Sequence, residues 1–395
     1  MIEVQDLTKV YGLPRSRAVR LLREERPREA VQEAGGFVAA EGVDFTVSRG
    51  ELFVIMGLSG SGKSTVLRML NRLVEPTDGV VRIDGRDVPA MDKDEMRDLR
   101  NRRISMVFQH FALFPHRTIR ENAAYGLKVR GVHAKERLER ADEALQRVGL
   151  GDRGDAHPEA LSGGMKQRVG LARALATDAE ILLMDEPFSA LDPLIKRDMQ
   201  ELLLKLQAED QRTIVFVTHD LNEAMRIGQR VMVMKAGRVV QCGTGAEIIS
   251  SPADDYVSDF VADVDRSRVL TAGSLLRPPR LTARRDERPD DVLERLEDAE
   301  MNGMFVLDDL DRVLGVARDG LLAKAVHNND DDLRNCLVAD YETVPVDLPL
   351  IEFCHLAGRH SVPVAAVDEQ GRLLGVVPRA AILSSLASPR KVAHA

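Results

Sequence analysis

The stretch "LFVIMGLSGSGKSTVLRML", residues 52–70, decides the fold. Its first five residues are apolar without alternation, which predicts a strand buried on both faces. Residues 63–72 have helical spacing. Between strand and helix lies "GLSGSGKST" (57–65), which fits G-x-x-x-x-G-K-[ST] in the context that pattern requires. Gly57, Gly60 and Gly62, with Ser59 and Ser61 between them, let the backbone curl at the glycines so that successive N–H groups point inward, and the helix start adds the positive end of its dipole. A polyphosphate is the natural occupant. The dipole alone contributes only about 0.3–1 kcal/mol. Hydrogen bonds to a charged oxygen contribute about 1.5–3 kcal/mol each, so the amide cradle matters more. Lys63 would reach the β- and γ-phosphates, Ser64 would ligate Mg2+, and Thr65 would bond a further phosphate oxygen.

Working outward, "ILLM" (181–184) and "TIVFV" (213–217) also read as buried parallel strands, followed by helical patterns at 193–208 and 220–227. The layout predicts an α/β fold with a mostly parallel core sheet. "ILLMDEP" puts Asp185 and Glu186 at a strand end. Mg2+ takes oxygen ligands and keeps several waters, so Asp185 can act through one of them. Glu186 then sits where a carboxylate polarises an attacking water; an Asp-Glu pair at a strand end is otherwise common. "LSGGMKQ" (161–167) opens another helix with Ser162, Gly163 and Gly164, a second anion-binding start. A single polyphosphate presents two sides, and the loop at 57–65 covers one. The second start therefore predicts a head-to-tail homodimer in which another copy covers the γ-phosphate; a plain helix cap is the other reading.

The chain has 395 residues and a formal net charge of −8, which argues against a nucleic-acid binder and for two or three domains. Cys242, Cys336 and Cys354 are far apart and lack metal-ligand spacing, as expected of reduced thiols. "MIEVQDLTKVYG" lacks the pattern of a signal peptide, and no apolar run approaches the roughly 18 residues of a membrane span. Residues 14–36 form a charged insert with few apolar anchors, read as one or two solvated helices or a partner contact. Residues 266–290, rich in Arg and Pro, read as a linker. Beyond it "MFVLDDLDRVLGVARDGLL" and "VAAVDEQGRLLGVVPRAAIL" align without a gap, so that Asp308, Arg312, Gly315 and Leu322 match Asp368, Arg372, Gly375 and Ile382. Each copy reads strand, turn, strand, helix, and two such units should pack into one domain.

The set "GLSGSGKST", "VFQ" (107–109), "LSGGMKQ", "LLMDEP", "SALD" (189–192) and "THD" (218–220) resembles the nucleotide-binding subunit of an ABC transporter, in that family's order. The resemblance implies a P-loop NTPase domain over 1–265, with a helical subdomain at about 110–175, that binds and hydrolyses ATP with Mg2+. It implies that Tyr11 stacks on adenine, that Gln109 senses the γ-phosphate through Mg2+ or water, that Asp192 couples two sites across a dimer, and that His219 contacts the γ-phosphate. Each has a bland alternative: Tyr11 and Gln109 as surface residues, Asp192 as a helix cap, His219 as a polar strand end. The repeat at 291–388 resembles tandem CBS domains, an α+β pair. With the insert after Tyr11, the whole is similar to the ATP-binding subunit of glycine betaine/proline-type osmoprotectant importers.

That resemblance implies a peripheral protein on the cytoplasmic face of the cell membrane. Its partners would be a multispanning permease and, through it, a periplasmic or lipid-anchored solute-binding protein, with adenine nucleotide as the possible ligand of the CBS pair. Phe111, Phe114 and Pro115 offer an apolar contact for a cytoplasmic helix of the permease, or ordinary local packing. Two other readings are an ATPase for a different solute and a non-transport ATPase regulated by its CBS pair. About fifty residues separate Gln109 from Leu161, too few for the long coiled coil of DNA-repair relatives.

Overall fold

The structure is a computed structural model that describes residues 1–109, 112–262, 264–360 and 362–386. The chain divides into a unit spanning Met1–Val261 and a second beginning at Ala262. The first carries β1 (Ile2–Tyr11), β2 (Phe37–Val47), β3 (Leu52–Met56), β4 (Asp78–Ile83), β5 (Arg86–Asp87), β6 (Ile104–Val107), β7 (Ile181–Asp185), β8 (Thr213–Thr218), β9 (Arg230–Lys235) and β10 (Arg238–Gly243). They form two sheets, one antiparallel in the order β2-β1-β4-β5, the other in the order β10-β9-β3-β8-β7-β6. In the second sheet β9, β3, β8, β7 and β6 run parallel and only β10 reverses. Every residue of β3, β7 and β8 is buried, which is why their sequences are apolar without alternation.

The two sheets share one core. Val4 and Phe45 of the antiparallel sheet pack with Phe53 and Ile55 of β3 and with Val66 and Leu70 of the helix Lys63–Leu70. Phe45 and Phe53 stack with ring centroids 5.2 Å apart. Each such buried side chain contributes about 1.5–3 kcal/mol. The insert forms two helices, Arg15–Leu21 and Pro27–Glu33. They are anchored by the burial of Ala18 and Val31 against Val10 and Val38 and are otherwise mostly exposed or half-buried, as solvated helices should be.

Between β6 and β7 the chain is helical: Ile119–Ala123, Tyr125–Val129, Ala134–Arg147 and Gly163–Ala176. Thr118 and Glu121 form a reciprocal cap at the first of these. Buried Asn122 accepts from the Phe114 N–H at 2.7 Å and donates to the carbonyls of Phe114, Arg117 and Thr118, which fixes the loop before that helix. Phe114 packs against Tyr125 at 4.5 Å, with the Arg117 guanidinium over both rings. Its contacts are thus local packing; Pro115 is exposed, and Phe111 lies outside the described residues.

In the second unit the internal repeat is a structural one. β11 (Thr282–Arg284), β12 (Gly303–Leu307), β13 (Val313–Arg318) and β14 (Leu337–Val338) form one sheet. β15 (Thr343–Pro345), β16 (Val364–Val367) and β17 (Leu373–Val377) form its counterpart. In each copy a first strand runs parallel to the second, which pairs antiparallel with the third, and a helix follows, Asp319–His327 or Arg379–Leu386. The matched residues hold the hairpin turns. The Asp308 carboxylate accepts from the N–H of Leu310 and Arg312 and from Arg312 Nε at 2.8–2.9 Å, and Asp368 does the same with Gln370 and Arg372 at 2.6–2.9 Å. Arg312 bridges Arg372, and Phe305, Val316, Ala365 and Val376 share one apolar cluster, so the copies close on each other.

The stretch 266–290, read in the sequence as a linker, contains short elements of its own. It holds a short helix, Arg266–Val269, and β11, and the Arg277 N–H donates to the Val376 carbonyl at 2.8 Å. These pairings are single bridges or three residues long, too short to leave a periodicity among the Arg and Pro residues.

Candidate functional site

The parallel strands end together at one edge, the place where open α/β sheets bind ligands. Past Met56 the chain turns at Gly57, with φ +150°; a Cβ there would lie 2.3 Å from the Met234 carbonyl oxygen. Gly62, with φ +98°, starts the helix Lys63–Leu70, and a Cβ there would lie 2.2 Å from the Ala39 carbonyl oxygen. The loop therefore requires residues without side chains at both places. It is tied internally by Ser61 N–H to the Leu58 carbonyl at 3.1 Å and from behind by Gly237 N–H to the Ser61 carbonyl at 3.0 Å. Ser59 and Gly60 form its exposed rim, and Thr65 is half-buried. The Ser61 hydroxyl is buried without a hydrogen-bond partner.

Lys63 Nζ reaches back across the loop to the Leu58 carbonyl at 3.0 Å and lies 3.8 Å from Glu186 Oε1. Burial pushes its ammonium below the ordinary lysine range, and Glu186 and Asp185 pull it partly back. At the end of β7, Asp185 is 3% exposed. The Ser64 hydroxyl donates to its Oδ1 at 2.7 Å, and Arg68 grips Oδ2 through Nε at 3.1 Å and Nη2 at 2.9 Å. Glu186 sits in the left-handed region at φ 45°, a conformation costing about 1–2 kcal/mol for a residue with a Cβ. It is held there by its own N–H donating to the Val217 carbonyl and by the Ser189 hydroxyl donating to its carbonyl, both at 3.0 Å. Strain kept in place by surrounding bonds is a mark of functional sites. Glu186 Oε2 meets His219 Nδ1 at 2.8 Å.

His219 is framed on both sides. The Thr218 hydroxyl donates to the buried Glu223 carboxylate, and Asp220 caps the helix Leu221–Ile227 while accepting from Lys196 Nζ at 2.6 Å. Burial pushes the Glu223 carboxyl above its ordinary range, outweighing the Thr218 hydrogen bond and Lys196 at 3.7 Å. Lys196 lies one turn past Asp192, whose carboxylate caps the helix Pro193–Asp210 by accepting from Ile195 N–H at 3.1 Å.

Lys63, Ser64, Asp185, Glu186 and His219 thus form one contact set. Arg68 belongs to it and was missed in the sequence; its signal is a cation four residues past Ser64, on the same helix face. Gln109 is exposed two residues beyond Val107, which pairs with Met184, so it shares the strand-end edge. Tyr11 is exposed at the end of β1, paired in register with exposed Phe37, and Lys9 Nζ lies 5.0 Å from its ring centroid. Ser162 and Gly163 are exposed at the tip of the helix Gly163–Ala176, with Ser162 accepting from Met165 N–H at 3.4 Å, while Gly164 is pressed against Ile195. Among the described residues, no hydrogen bond joins Tyr11, Gln109, Ser162, Gly163 or Asp192 to the loop at 57–65.

The residues present fit a magnesium-bound nucleotide. The side-chain-free cradle leaves room for phosphate, the orphaned Ser61 hydroxyl awaits a partner, and a hydroxyl and a carboxylate oxygen 2.7 Å apart are hard-cation donors. Fold and site together define an ABC-type ATP-binding cassette joined to a CBS pair. The chain matches the ABC transporter family over residues 40–189 and the CBS domain family over 334–388. It is 46% identical to the glycine betaine transport ATP-binding protein OpuAA of Bacillus subtilis (strain 168), over 100% of this chain and 94% of that one. It is 44% identical to the glycine betaine/carnitine transport ATP-binding protein GbuA of Listeria monocytogenes serotype 1/2a (strain 10403S), over 98% and 97%. A solved dimer of the ATP-binding cassette MJ0796, in a post-hydrolysis state bound to ADP and Pi, is 36% identical with a TM-score of 0.53, covering 62% of this chain and 99% of that one. The chain belongs to the glycine betaine family of ABC transporter ATP-binding proteins, and is an ABC-type transport ATPase. The CBS match covers the second repeat copy; the first is recognisable from its identical turn chemistry.

Proposed function

We propose that this chain hydrolyses ATP to drive uptake of glycine betaine or a related quaternary amine through a separate membrane-spanning permease. The observation that carries the reading is the contact set Lys63, Ser64, Asp185, Glu186 and His219 at the ends of β3, β7 and β8. The amides of 57–65 and Lys63 hold the phosphates, and Tyr11 stacks on the base. Ser64, Gln109 and, through water, Asp185 hold Mg2+, which when bound neutralises phosphate charge. Glu186 takes a proton from the attacking water, and His219 fixes the Glu186 carboxylate and meets the γ-phosphate. The exposed Ser162 and Gly163 of a second copy cover the γ-phosphate from its other side, and Asp192 links the two sites. Closure of the two copies moves the permease helix seated beside 112–118, and hydrolysis resets it.

No helix among the described residues is long and apolar enough to cross a membrane. The reading therefore places the chain peripherally on the cytoplasmic face, acting on the solute-binding protein only through the permease. Within the second unit a cavity of about 520 Å3 is lined by Arg277, Arg280, Arg379, Met304, Phe305 and Val364. Cations beside an apolar wall suit an adenine nucleotide, which regulates the cycle there. The test is co-reconstitution with the permease in liposomes. Glycine betaine uptake that requires ATP and is lost in Glu186→Gln supports the reading. ATP hydrolysis with no solute uptake for any quaternary amine contradicts the transport assignment.

A further inference from the structure

The insert at 14–36 is the sequence feature that the ATPase reading leaves without a task. Its second helix, Pro27–Glu33, carries Arg28 onto the back of the nucleotide loop. Arg28 Nε donates to the Glu41 carboxylate and its Nη2 donates to the Ala236 carbonyl. Those two acceptors lie on different segments, one on β2 and one in the turn between β9 and β10. The turn is strained at Ala236, which has a Cβ and φ 47°, whereas Gly237 takes φ 82° without steric cost.

Both segments support the loop directly. The Gly237 N–H donates to the Ser61 carbonyl at 3.0 Å, and the Glu41 N–H donates to the Gly237 carbonyl at 2.9 Å. The Ala39 carbonyl forms the wall against which Gly62 is pressed. Arg238 also donates to Glu41. Burial works to raise the Glu41 carboxyl, but the Arg238 and Arg28 hydrogen bonds outweigh it and hold it below the ordinary range. A single guanidinium therefore ties the shelf under Gly62 to the turn that anchors Ser61, and the fork geometry of arginine suits two acceptors at once. Arg28 touches neither Glu186 nor His219.

We propose that the insert is a brace for the nucleotide loop and that Arg28 is a positioning residue for ATP binding. It acts through Glu41 and the 236–237 turn on the amides of Ser61 and Gly62. The inference rests on the reading of 57–65 as the ATP site.

The test uses the full chain, titrated with a fluorescent ATP analogue in the presence of Mg2+, with melting temperature measured without nucleotide and steady-state ATP hydrolysis measured alongside. Arg28→Ala should raise Kd and KM about tenfold and leave kcat within about twofold, a split expected when binding geometry rather than chemistry is lost. Arg28→Lys, which reaches one acceptor but not both, should fall between. Arg17→Ala, an exposed insert residue, should match wild type. A wild-type Kd in Arg28→Ala, whether or not its melting temperature falls, overturns the proposal and leaves the insert a stabilising element only. If Arg28→Ala does not fold, Arg28→Lys decides: a weakened Kd supports the brace and an unchanged one overturns it. Failure of the wild-type chain to bind ATP removes the underlying site and the proposal with it, an outcome separate from any difference among the variants.

Discussion

Replacing Gly62 with alanine is expected to cost nucleotide binding out of proportion to its single methyl group. The new Cβ would lie 2.2 Å from the Ala39 carbonyl oxygen, whereas ordinary contact begins at 3.4 Å, so one backbone must move by about 1.2 Å. Ala39 is buried on β2 at a register shift, held between Val38 and Ala40, which pair with Val10 and Lys9 of β1, and does not yield easily. The loop must therefore shift. Its left-handed φ of +98° adds about 1–2 kcal/mol of strain for an L residue with a Cβ. A displacement of about 1 Å carries a hydrogen bond of about 2.9 Å out to nearly 4 Å, which abolishes it. Losing even one amide bond to a charged oxygen, at about 1.5–3 kcal/mol, weakens ATP about tenfold to more than a hundredfold. Titration with a fluorescent ATP analogue reads the effect, and the melting temperature without nucleotide separates it from unfolding. A Gly62→Ala chain that is folded and binds ATP with the wild-type Kd would refute the cradle geometry.

Other expectations concern chemistry and coupling. Glu186→Gln should keep ATP binding, nearly abolish hydrolysis measured by phosphate release, and accumulate as a dimer on size exclusion with Mg2+ and ATP; wild-type turnover would show that Glu186 is not the base. Arg68→Ala frees Asp185 Oδ2 from its fork while leaving Ser64 in place, and should shift the Mg2+ concentration giving half-maximal hydrolysis by about threefold or more, since a hydrogen bond to a charged group is worth about 1.5–3 kcal/mol. The Glu223 carboxyl is raised in the folded chain, so the fold binds more protons there than the unfolded chain does. Its contribution is present below the ordinary carboxylate range and is lost as pH rises through the raised value. Urea midpoints of wild type relative to Glu223→Gln should accordingly fall as pH rises above about 4.5, and a constant difference between the two would contradict the burial argument.

The sequence carries the nucleotide site most clearly where a residue's environment is local. The uninterrupted apolar runs of β3, β7 and β8 follow from burial on both faces, and the glycine pattern at 57–65 follows from backbone turns that a side chain would block. The repeat is legible for the same reason: Asp308 and Asp368 each close a five-residue turn with the arginine at its end. What depends on distant segments is not legible. Arg68 looks like any helix-surface cation until Asp185, more than a hundred residues away, is brought against it. The stretch 266–290 looks unstructured because its pairings with β12 and β17 are too short to pattern it. Among the described residues Ser162 and Asp192 hydrogen-bond only as helix caps, so the sequence and the single chain leave their part in a two-copy site as a proposal.

The most direct measurement is therefore a structure of the Glu186→Gln chain with Mg2+ and ATP. The account predicts a closed pair in which the Ser162 hydroxyl and Gly163 amide of one copy lie within hydrogen-bond distance of the γ-phosphate held by the other copy's 57–65 loop. A closed, nucleotide-loaded pair with that helix tip facing solvent would contradict it.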